Sequence, residues 1–303
     1  MPSDPKAAAP ILLKAFLSGR KPSTLRTYRQ GLEVFSGFLG KTPEESAAWL
    51  LSRRPGEANK LGLDFKAWMM EADYAAATID NCLAALRSLV QLGKIWGLIV
   101  WELEVENVPE EKYRETSGPG MEKILLQIRS LRERSMEDPK AARDVAIIGF
   151  MGLMALRRGE VVGLDLADLD LDGGKVLVLG KGKTAKEPLT VPAPLSALLQ
   201  TWIGHRGDHA GPLFVHFRQR EMKDRLSDRS VGRITNALEL GRAHGLRHSA
   251  ITEALEENHG DVRKVARFSR HKNVQTVIRY DDNRKDLGGE VAEGLARKLR
   301  ENG

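Results

Sequence analysis

Cysteine is nearly absent from this chain of 303 residues, where Cys82 stands alone. A single thiol excludes an intramolecular disulfide and any cysteine-based metal centre, and it fits a reducing, intracellular setting. No apolar run reaches the roughly 20 residues that a bilayer-spanning helix needs. The first ten residues lack the basic-then-apolar order of a secretory leader. Internal repeats and low-complexity tracts are missing too. What is present is ordinary globular material, 42% hydrophobic and 29% charged, in a length that suits two domains.

The net charge is +6, and its placement says more than its size. Residues 1–118 carry 15 basic and 15 acidic side chains, while 119–303 carry 32 and 26. The whole excess lies in the second part, as a phosphate-rich partner would require. A scatter of solvated Lys and Arg explains the same numbers equally well.

The periodicity divides the chain. Leu25, Tyr28, Leu32, Phe35 and Leu39 predict a helix that Ser23 or Thr24 caps and Gly40 ends. Further apolar stripes run through Leu61, Phe65, Trp68 and Met69, and from Ile79 through Cys82, Leu83, Leu86, Leu89 and Val90 to Gly93. With a short helix over 44–51, these make a bundle of four or five helices. Cys82 falls on an apolar stripe, so its role is packing. From Trp101 to Pro119 the texture turns acidic, with Glu102, Glu104, Glu106, Glu110, Glu111 and Glu115, and Ser117-Gly118-Pro119-Gly120 breaks structure. This stretch reads as a linker, either solvated or packed on a basic surface of its own chain.

In the second part, helices over 121–134 and 139–156 precede a change of period. Residues 175–179 read as a strand, Gly180-Lys181-Gly182-Lys183 as a turn, and 187–191 as the returning strand. Helices resume over 194–203, 227–240, 245–258, 262–268, 274–280 and 289–300. The fold class is mainly α with a small β-sheet: an all-α bundle, then an α+β domain. The expected division is 1–112, a linker over 113–120, and 121–303.

Several chemically capable residues are spread along that second domain. Arg157 lies in Ala155-Leu156-Arg157-Arg158-Gly159-Glu160, at the end of an apolar helix, and Lys181 in the hairpin turn. His244-Gly245-Leu246-Arg247-His248 opens a helix, His271 follows Arg270, and Tyr280 lies nine positions after His271. Singly, each has a bland reading as a surface cation, a structural histidine or a core tyrosine. Together they match one reaction, metal-free cleavage of a phosphodiester by an enzyme nucleophile. That reaction needs a phenol that can attack and leave again. It needs cations around the non-bridging oxygens, for which the Arg fork is well shaped. It also needs an acid for the departing oxygen and a base for a phenol whose free pKa is about 10. Arg157 and Arg247 form the clamp, Lys181 is the acid, and His244 is the best candidate for proton transfer with Tyr280. His271 can hydrogen-bond a phosphate oxygen. Glu160, three residues after Arg157 on one helical face, can hold that arginine or a neighbouring group in place.

The order Arg, Lys, His-x-x-Arg, His, Tyr resembles the tyrosine recombinase (phage integrase) family over essentially the whole chain. The resemblance implies a helical core-binding domain followed by a catalytic domain, with Arg157, Lys181, His244, Arg247, His271 and Tyr280 as the catalytic set. His248 matches a family histidine that is mostly structural. It implies a 3′-phosphotyrosyl intermediate with a free 5′-hydroxyl, formed without ATP, metal or other cofactor. Two positions depart from the family pattern: Ala155 stands where Gly is usual before Leu-Arg, and Arg270 where Gly is usual before the late histidine. Both affect backbone freedom, and Arg270 could add a phosphate contact.

The remaining expectations follow from that resemblance. Double-stranded DNA is the partner. Arg26 and Arg29 on the first helix, Arg158, the run Arg218, Arg220, Lys223, Arg225 and Arg229, and Arg270 are candidate DNA contacts. His205, Asp208, His209 and His216 could ligate a metal by residue type, but the intervening glycines favour a polar loop. The segment over about 287–300 is expected to pack on a neighbouring protomer in a homotetramer on two DNA sites, a dimer at each, and an accessory protein is compatible with this. The short N-terminal region points to the simple two-domain form of the Xer or Cre sort, acting in the cytoplasm on nucleoid DNA. The alternatives are a type IB-like topoisomerase and a catalytically silent DNA-binding protein.

Overall fold

In the computed structural model the described residues are 4–109, 118–217 and 224–282, with 289, 292–293 and 295–297 of the terminal segment. The chain forms two compact units, Met1–Lys112 and Tyr113–Gly303. Among the described residues, no helix is long and apolar enough to cross a membrane.

The first unit is a bundle of α1 (Pro5–Phe16), α2 (Pro22–Leu39), α3 (Pro43–Leu51), α4 (Pro55–Glu71) and α5 (Ala76–Ile95). The apolar stripes converge on Phe35, Phe65, Leu50, Leu83, Leu86 and Leu89, all fully buried. Phe35 meets Phe65 edge-on at 5.1 Å between ring centres, and Phe38 lies 5.4 Å from both Phe65 and Trp68. Such offset ring pairs add to what area burial alone supplies.

The local chemistry corrects several expectations. Helix α1 was not expected; it buries Ala8, Ala9, Leu12, Leu13 and Phe16. Helix α2 begins at Pro22 after Lys21, not at Ser23 or Thr24. Proline suits the first helical position, because its φ is preset and its missing N–H has no partner there anyway. Gly40 does end the helix, in a left-handed conformation with φ 63°. Gly93 does not end α5. It lies inside the helix, where an added Cβ would come within 3.1 Å of Leu51 Cδ2. The first half of the acidic stretch is no linker either. Ile99, Leu103 and Val105 are buried against the bundle. Lys66 Nζ donates to the carbonyls of Glu106 and Asn107, at 2.9 and 3.1 Å. Arg87 Nη1 donates to the Val105 carbonyl at 2.9 Å, and Lys94 pairs with Glu102 at 2.5 Å. The segment thus lies along a basic edge of its own unit, formed by Lys66, Arg87 and Lys94. The later part of the stretch, residues 110–117, lies outside the described residues.

In the second unit, α6 (Met121–Arg134), α7 (Pro139–Leu153) and α9 (Ala193–Arg206) pack around a core that includes Trp202, Phe150 and Phe214. Helix α7 is buried along Ala141–Gly152 and is the axis of the domain. A Cβ at Gly149 would lie 2.5 Å from Leu195 Cδ1, and one at Gly152 would lie 2.8 Å from Ile124 Cγ2. Glycine lets α9 and α6 approach that closely. Helix α7 stops before 156 because Ala155 turns left-handed, with φ 49°.

The sheet has three antiparallel strands in the order β1 (Leu169–Asp170), β2 (Lys175–Val178), β3 (Glu187–Thr190). The two-residue β1 was not expected. Val176 and Val178 face the core while Lys175 and Leu177 face out, and the register pairs Val178 with Glu187. Short α8 (Arg158–Val162) precedes the sheet; α10 (Asp228–Ala237), α11 (Ala243–Glu257), α12 (Val262–Ser269) and α13 (Gln275–Asp282) follow it. The expected terminal helix over 287–300 falls mostly outside the described residues.

Truncating Leu103 tests the packing of the acidic strap. Leu103→Ala should lower the stability of the first unit by about 2–3 kcal/mol in urea unfolding followed by far-UV circular dichroism. The transition of the second unit should stay in place. An unmoved first transition would mean that the strap adds nothing to the bundle.

Candidate active site

The site is built where three chain segments meet under one side chain. Arg247 sits on the inner face of α11 and is only 1% exposed. Its guanidinium donates to the carbonyl of Ala155, to the carbonyl of Ser269, and at 3.2 Å to Nε2 of His271. Arg247 therefore fixes the turn that leads into Arg157 and the turn that leads into His271. Burial, then the neighbouring charge of Arg157, lowers its pKa to about 10. It stays protonated at neutral pH.

Left-handed Ala155 redirects the chain so that Arg157 falls just ahead of α8. This corrects the expectation that Arg157 and Glu160 share the face of one long helix. Glu160 instead folds back on the start of its own short helix. Its carboxylate accepts the Arg157 backbone N–H at 2.8 Å and the Arg157 Nη1 at 2.9 Å. Arg270 Nη2 donates to the same carboxylate at 2.5 Å. Burial pushes the Glu160 carboxyl upward, but the Arg157 N–H and the Arg270 and Arg157 cations outweigh it and leave its pKa lowered. A buried carboxylate with this many donors stays ionised.

The hydrogen bonds of His271 fix its tautomer. An arginine only donates, so Nε2 accepts from Arg247. Nδ1 then carries the proton and donates to Ser269 Oγ at 2.8 Å, and Ser269 Oγ donates to the Val265 carbonyl at 2.7 Å. Burial first, then the charges of Arg247 and Arg157, lowers the His271 pKa to about 4. The ring is neutral at pH 7. In this arrangement it offers no N–H to a phosphate oxygen; donating one requires Arg247 to release Nε2.

The aromatic side follows in series. His244, in the exposed first turn of α11, lies 4.5 Å from His248 between ring centres, and His248 lies 5.2 Å from Tyr280. His248 thus packs beside the Tyr280 ring, in line with His244. His271 is 6.3 Å from the Tyr280 ring. Tyr280 is 5% exposed and packs with Ala155, Ile251, Leu255 and Val277.

In front of this cluster opens a cleft of about 820 Å³. Arg157, Lys181 and His271 line it, as do Lys183, Arg263, Arg267, Arg270 and Lys272, with Glu187 as the one carboxylate. Tyr280, His244 and Arg247 do not line it. Three lining cations, Arg263, Arg267 and Lys272, were not singled out from the sequence. The signal was there: Arg263 and Arg267 are four apart on a strongly one-sided helix, and Lys272 adjoins His271.

The other proposed DNA contacts are dispersed. Arg225 is used internally, donating to the carbonyls of Val162 and Leu164 and pairing with Asp165. Arg158 pairs with Asp228 at 3.5 Å. Arg229 is exposed, as are Arg26 and Arg29 in the first unit. Arg218, Arg220 and Lys223 lie outside the described residues. At the candidate metal loop, Arg206 donates to the carbonyls of Gly207, His209 and Pro212, and His205 Nε2 lies 2.8 Å from the Ser135 carbonyl.

The second unit is a helical domain with a three-stranded sheet and a cleft of cations backed by a buried arginine. Comparison with known proteins gives the family. Residues 125–286 match the model of the phage integrase family. A tyrosine recombinase of Synechococcus elongatus is 36% identical over 92% of this chain and 91% of its own length. One from Synechocystis is 35% identical over 94% of both. The fold is similar to that of XerH site-specific recombinase bound to palindromic difH substrate (TM-score 0.62, 17% identity, 96% and 97% of the two chains). It is also similar to that of the Tn1549 transposon integrase in complex with transposon right end DNA (TM-score 0.63, 15% identity, 99% and 100%). The chain belongs to the phage integrase family of tyrosine recombinases.

The state of His271 carries a pH dependence of stability. Its pKa lies below the free value of 6.5, so the unfolded chain binds this proton first as the pH falls. Stability is undiminished above about pH 6.5 and is lost progressively down to about pH 4. In an NMR titration, the His271 ring protons should show no midpoint above pH 5. A midpoint near 6.5 would mean that the ring is solvated rather than held by Arg247.

Proposed function

We propose that this protein is a site-specific recombinase that binds double-stranded DNA and cuts and rejoins it through Tyr280. The observation that carries the reading is the convergence of Arg157, Lys181 and His271 on one basic cleft, with Arg247 behind it.

The chemistry is an exchange of esters. The Tyr280 hydroxyl oxygen attacks the phosphorus, and the bond to the 5′-oxygen breaks. The phenolic proton passes to a histidine of the His244–His248 pair. Lys181, on the exposed loop between β2 and β3, gives a proton to the departing 5′-oxygen. Arg157 and Arg247 stabilise the charge that grows on the non-bridging oxygens. The products are a 3′-phosphotyrosyl ester and a free 5′-hydroxyl, and attack by a 5′-hydroxyl of another strand reverses the step. Bond energy stays in the ester, so the reaction needs no ATP.

The arrangement described is a resting one on this reading. Tyr280 is buried and does not line the cleft. It reaches a phosphate when α13, a helix of eight residues, moves with it. Lambda integrase, similar in fold (TM-score 0.61, 14% identity, 90% of this chain), was solved as a dimer bound to its core site. The same arrangement is proposed here, a dimer on each DNA site, and strand exchange between two sites would bring two dimers together as a tetramer.

Full-length protein mixed with randomly nicked genomic DNA and quenched in detergent should yield a covalent protein–DNA adduct. Sequencing the trapped fragments should place the adduct at a recurrent phosphodiester with a free 5′-hydroxyl beside it. Tyr280→Phe should give none. No adduct with the natural protein, or one that survives Tyr280→Phe, overturns the reading.

A further inference from the structure

Arg270 has a left-handed backbone, with φ 56°, a conformation that side-chain-bearing residues rarely adopt. Its side chain is nonetheless nearly buried, at 9% exposure. It reaches two carboxylates on different elements: Nη2 lies 2.5 Å from Glu160 Oε2, and Nε lies 3.5 Å from Glu187 Oε1. Glu160 is the group that holds Arg157. Glu187 is the first residue of β3, paired with Val178 where the Lys181 loop begins and ends. The other carboxylate oxygen of Glu187 lies 3.5 Å from Lys183 Nζ, inside that loop. The next cation along also faces the loop. A Cβ at Gly182 would lie 3.9 Å from Lys272 Nζ.

We infer that Arg270 is a positioning residue that ties the Lys181 loop to the Arg157 cradle, bridging Glu187 and Glu160, and so sets where Lys181 stands over the cleft. This rests on the proposed roles of Lys181 and Arg157. The loop between β2 and β3 spans residues 179–186 and is largely exposed; the Lys183 N–H to Gly180 carbonyl bond at 3.0 Å shapes it internally, and side-chain ties anchor it to the rest of the unit. One is Lys186 to Asp168, at 2.5 Å, on the sheet side. Arg270 supplies the tie on the cleft side. A planar guanidinium can hold two carboxylates in one geometry, whereas an ammonium acts as a point charge. Here the Glu160 arm is a hydrogen bond, while Nε makes none, so the Glu187 arm is an ion pair at 3.5 Å held in place by the fixed spread of the guanidinium. Nη2 and Nε face protein carboxylates while Arg270 also lines the cleft, so the bridge stands beside the phosphate contact expected of it.

The test uses the DNA site mapped by covalent trapping, made once with a natural bond and once with sulfur in place of the bridging 5′-oxygen. A thiolate leaves without needing a proton, so a defect in delivering the acid disappears on the sulfur substrate. Arg270→Gly suits the backbone and should fold. On the natural bond its cleavage rate at saturating DNA should fall about tenfold, with DNA affinity unchanged within about twofold. Glu187→Gln should move the same way by a smaller factor. Arg270→Lys should restore less than half of the lost rate. On the sulfur substrate both Arg270→Gly and Lys181→Ala should return to near the rate of the natural protein. In a Lys181→Ala background, Arg270→Gly should cost little more. A rate defect that persists with sulfur, or a loss of affinity at unchanged rate, overturns the inference and leaves Arg270 as a structural or phosphate-binding residue. If the natural protein cleaves and Arg270→Gly cleaves equally well, the positioning role fails alone. If the natural protein does not cleave, the proposed function fails first.

Discussion

One buried guanidinium organises the second unit. Arg247 gives its donors to two backbone carbonyls and one ring nitrogen, taken from segments more than a hundred residues apart in sequence (Ala155 and Ser269–His271). Burying a cation is costly unless its donors are satisfied. Here the partners are neutral acceptors, so the charge itself is not cancelled. Glu160 is the one buried carboxylate in the cluster, and it is shared by Arg157 and Arg270. Three guanidinium groups around one carboxylate leave a positive surplus. A surplus held in low dielectric attracts an anion far more strongly than the same charges would on an open surface. On the proposed mechanism, the substrate phosphate completes this balance.

The same arrangement explains the state of the histidine. A ring whose free nitrogen faces an arginine cannot easily take up a proton, and burial acts in the same direction. His271 is held neutral by the cation that binds it. On the proposed mechanism, a phosphate entering the cleft would draw the Arg247 donors toward its oxygens. That would free Nε2 and change the hydrogen-bonding role of His271 at the moment when the substrate arrives.

Much of this was legible in the sequence, and the rest was not for physical reasons. Helix periodicity located most elements, because apolar stripes at i, i+3 and i+4 are a local record of a buried face. The candidate site residues could be listed by type and order, because the proposed chemistry demands those types. Their relations could not be listed. Arg157 and Glu160 looked like neighbours along one helix, but the left-handed turn at Ala155 depends on a hydrogen bond from Arg247, 92 positions away. His248 looked like a bystander beside His244, yet helix geometry places it against Tyr280. Arg263 and Arg267 read as an ordinary solvated face until α12 was seen to flank the cleft. The acidic stretch after Trp101 read as free chain because its buried residues, Leu103 and Val105, alternate with glutamates in a short extended segment that carries no helical period.

The two left-handed residues show how the site holds strain. Ala155 and Arg270 each occupy a conformation that costs a residue with a side chain about 1–2 kcal/mol relative to an ordinary backbone. Such outliers persist only where the surroundings over-determine them. Arg247 supplies that constraint at both places: it binds the carbonyl of Ala155 itself, and the carbonyl of Ser269, which belongs to the peptide bond leading into Arg270. One side chain therefore holds both turns that aim Arg157 and His271 at the cleft. Lysine in its place would keep a charge but not a planar fork, and a compact ammonium is poorly matched to three acceptors arranged around a flat group. The requirement for arginine at this position is thus set by the fold before any substrate enters. On the proposed mechanism, its use on phosphate is a second demand on a group already fixed in place.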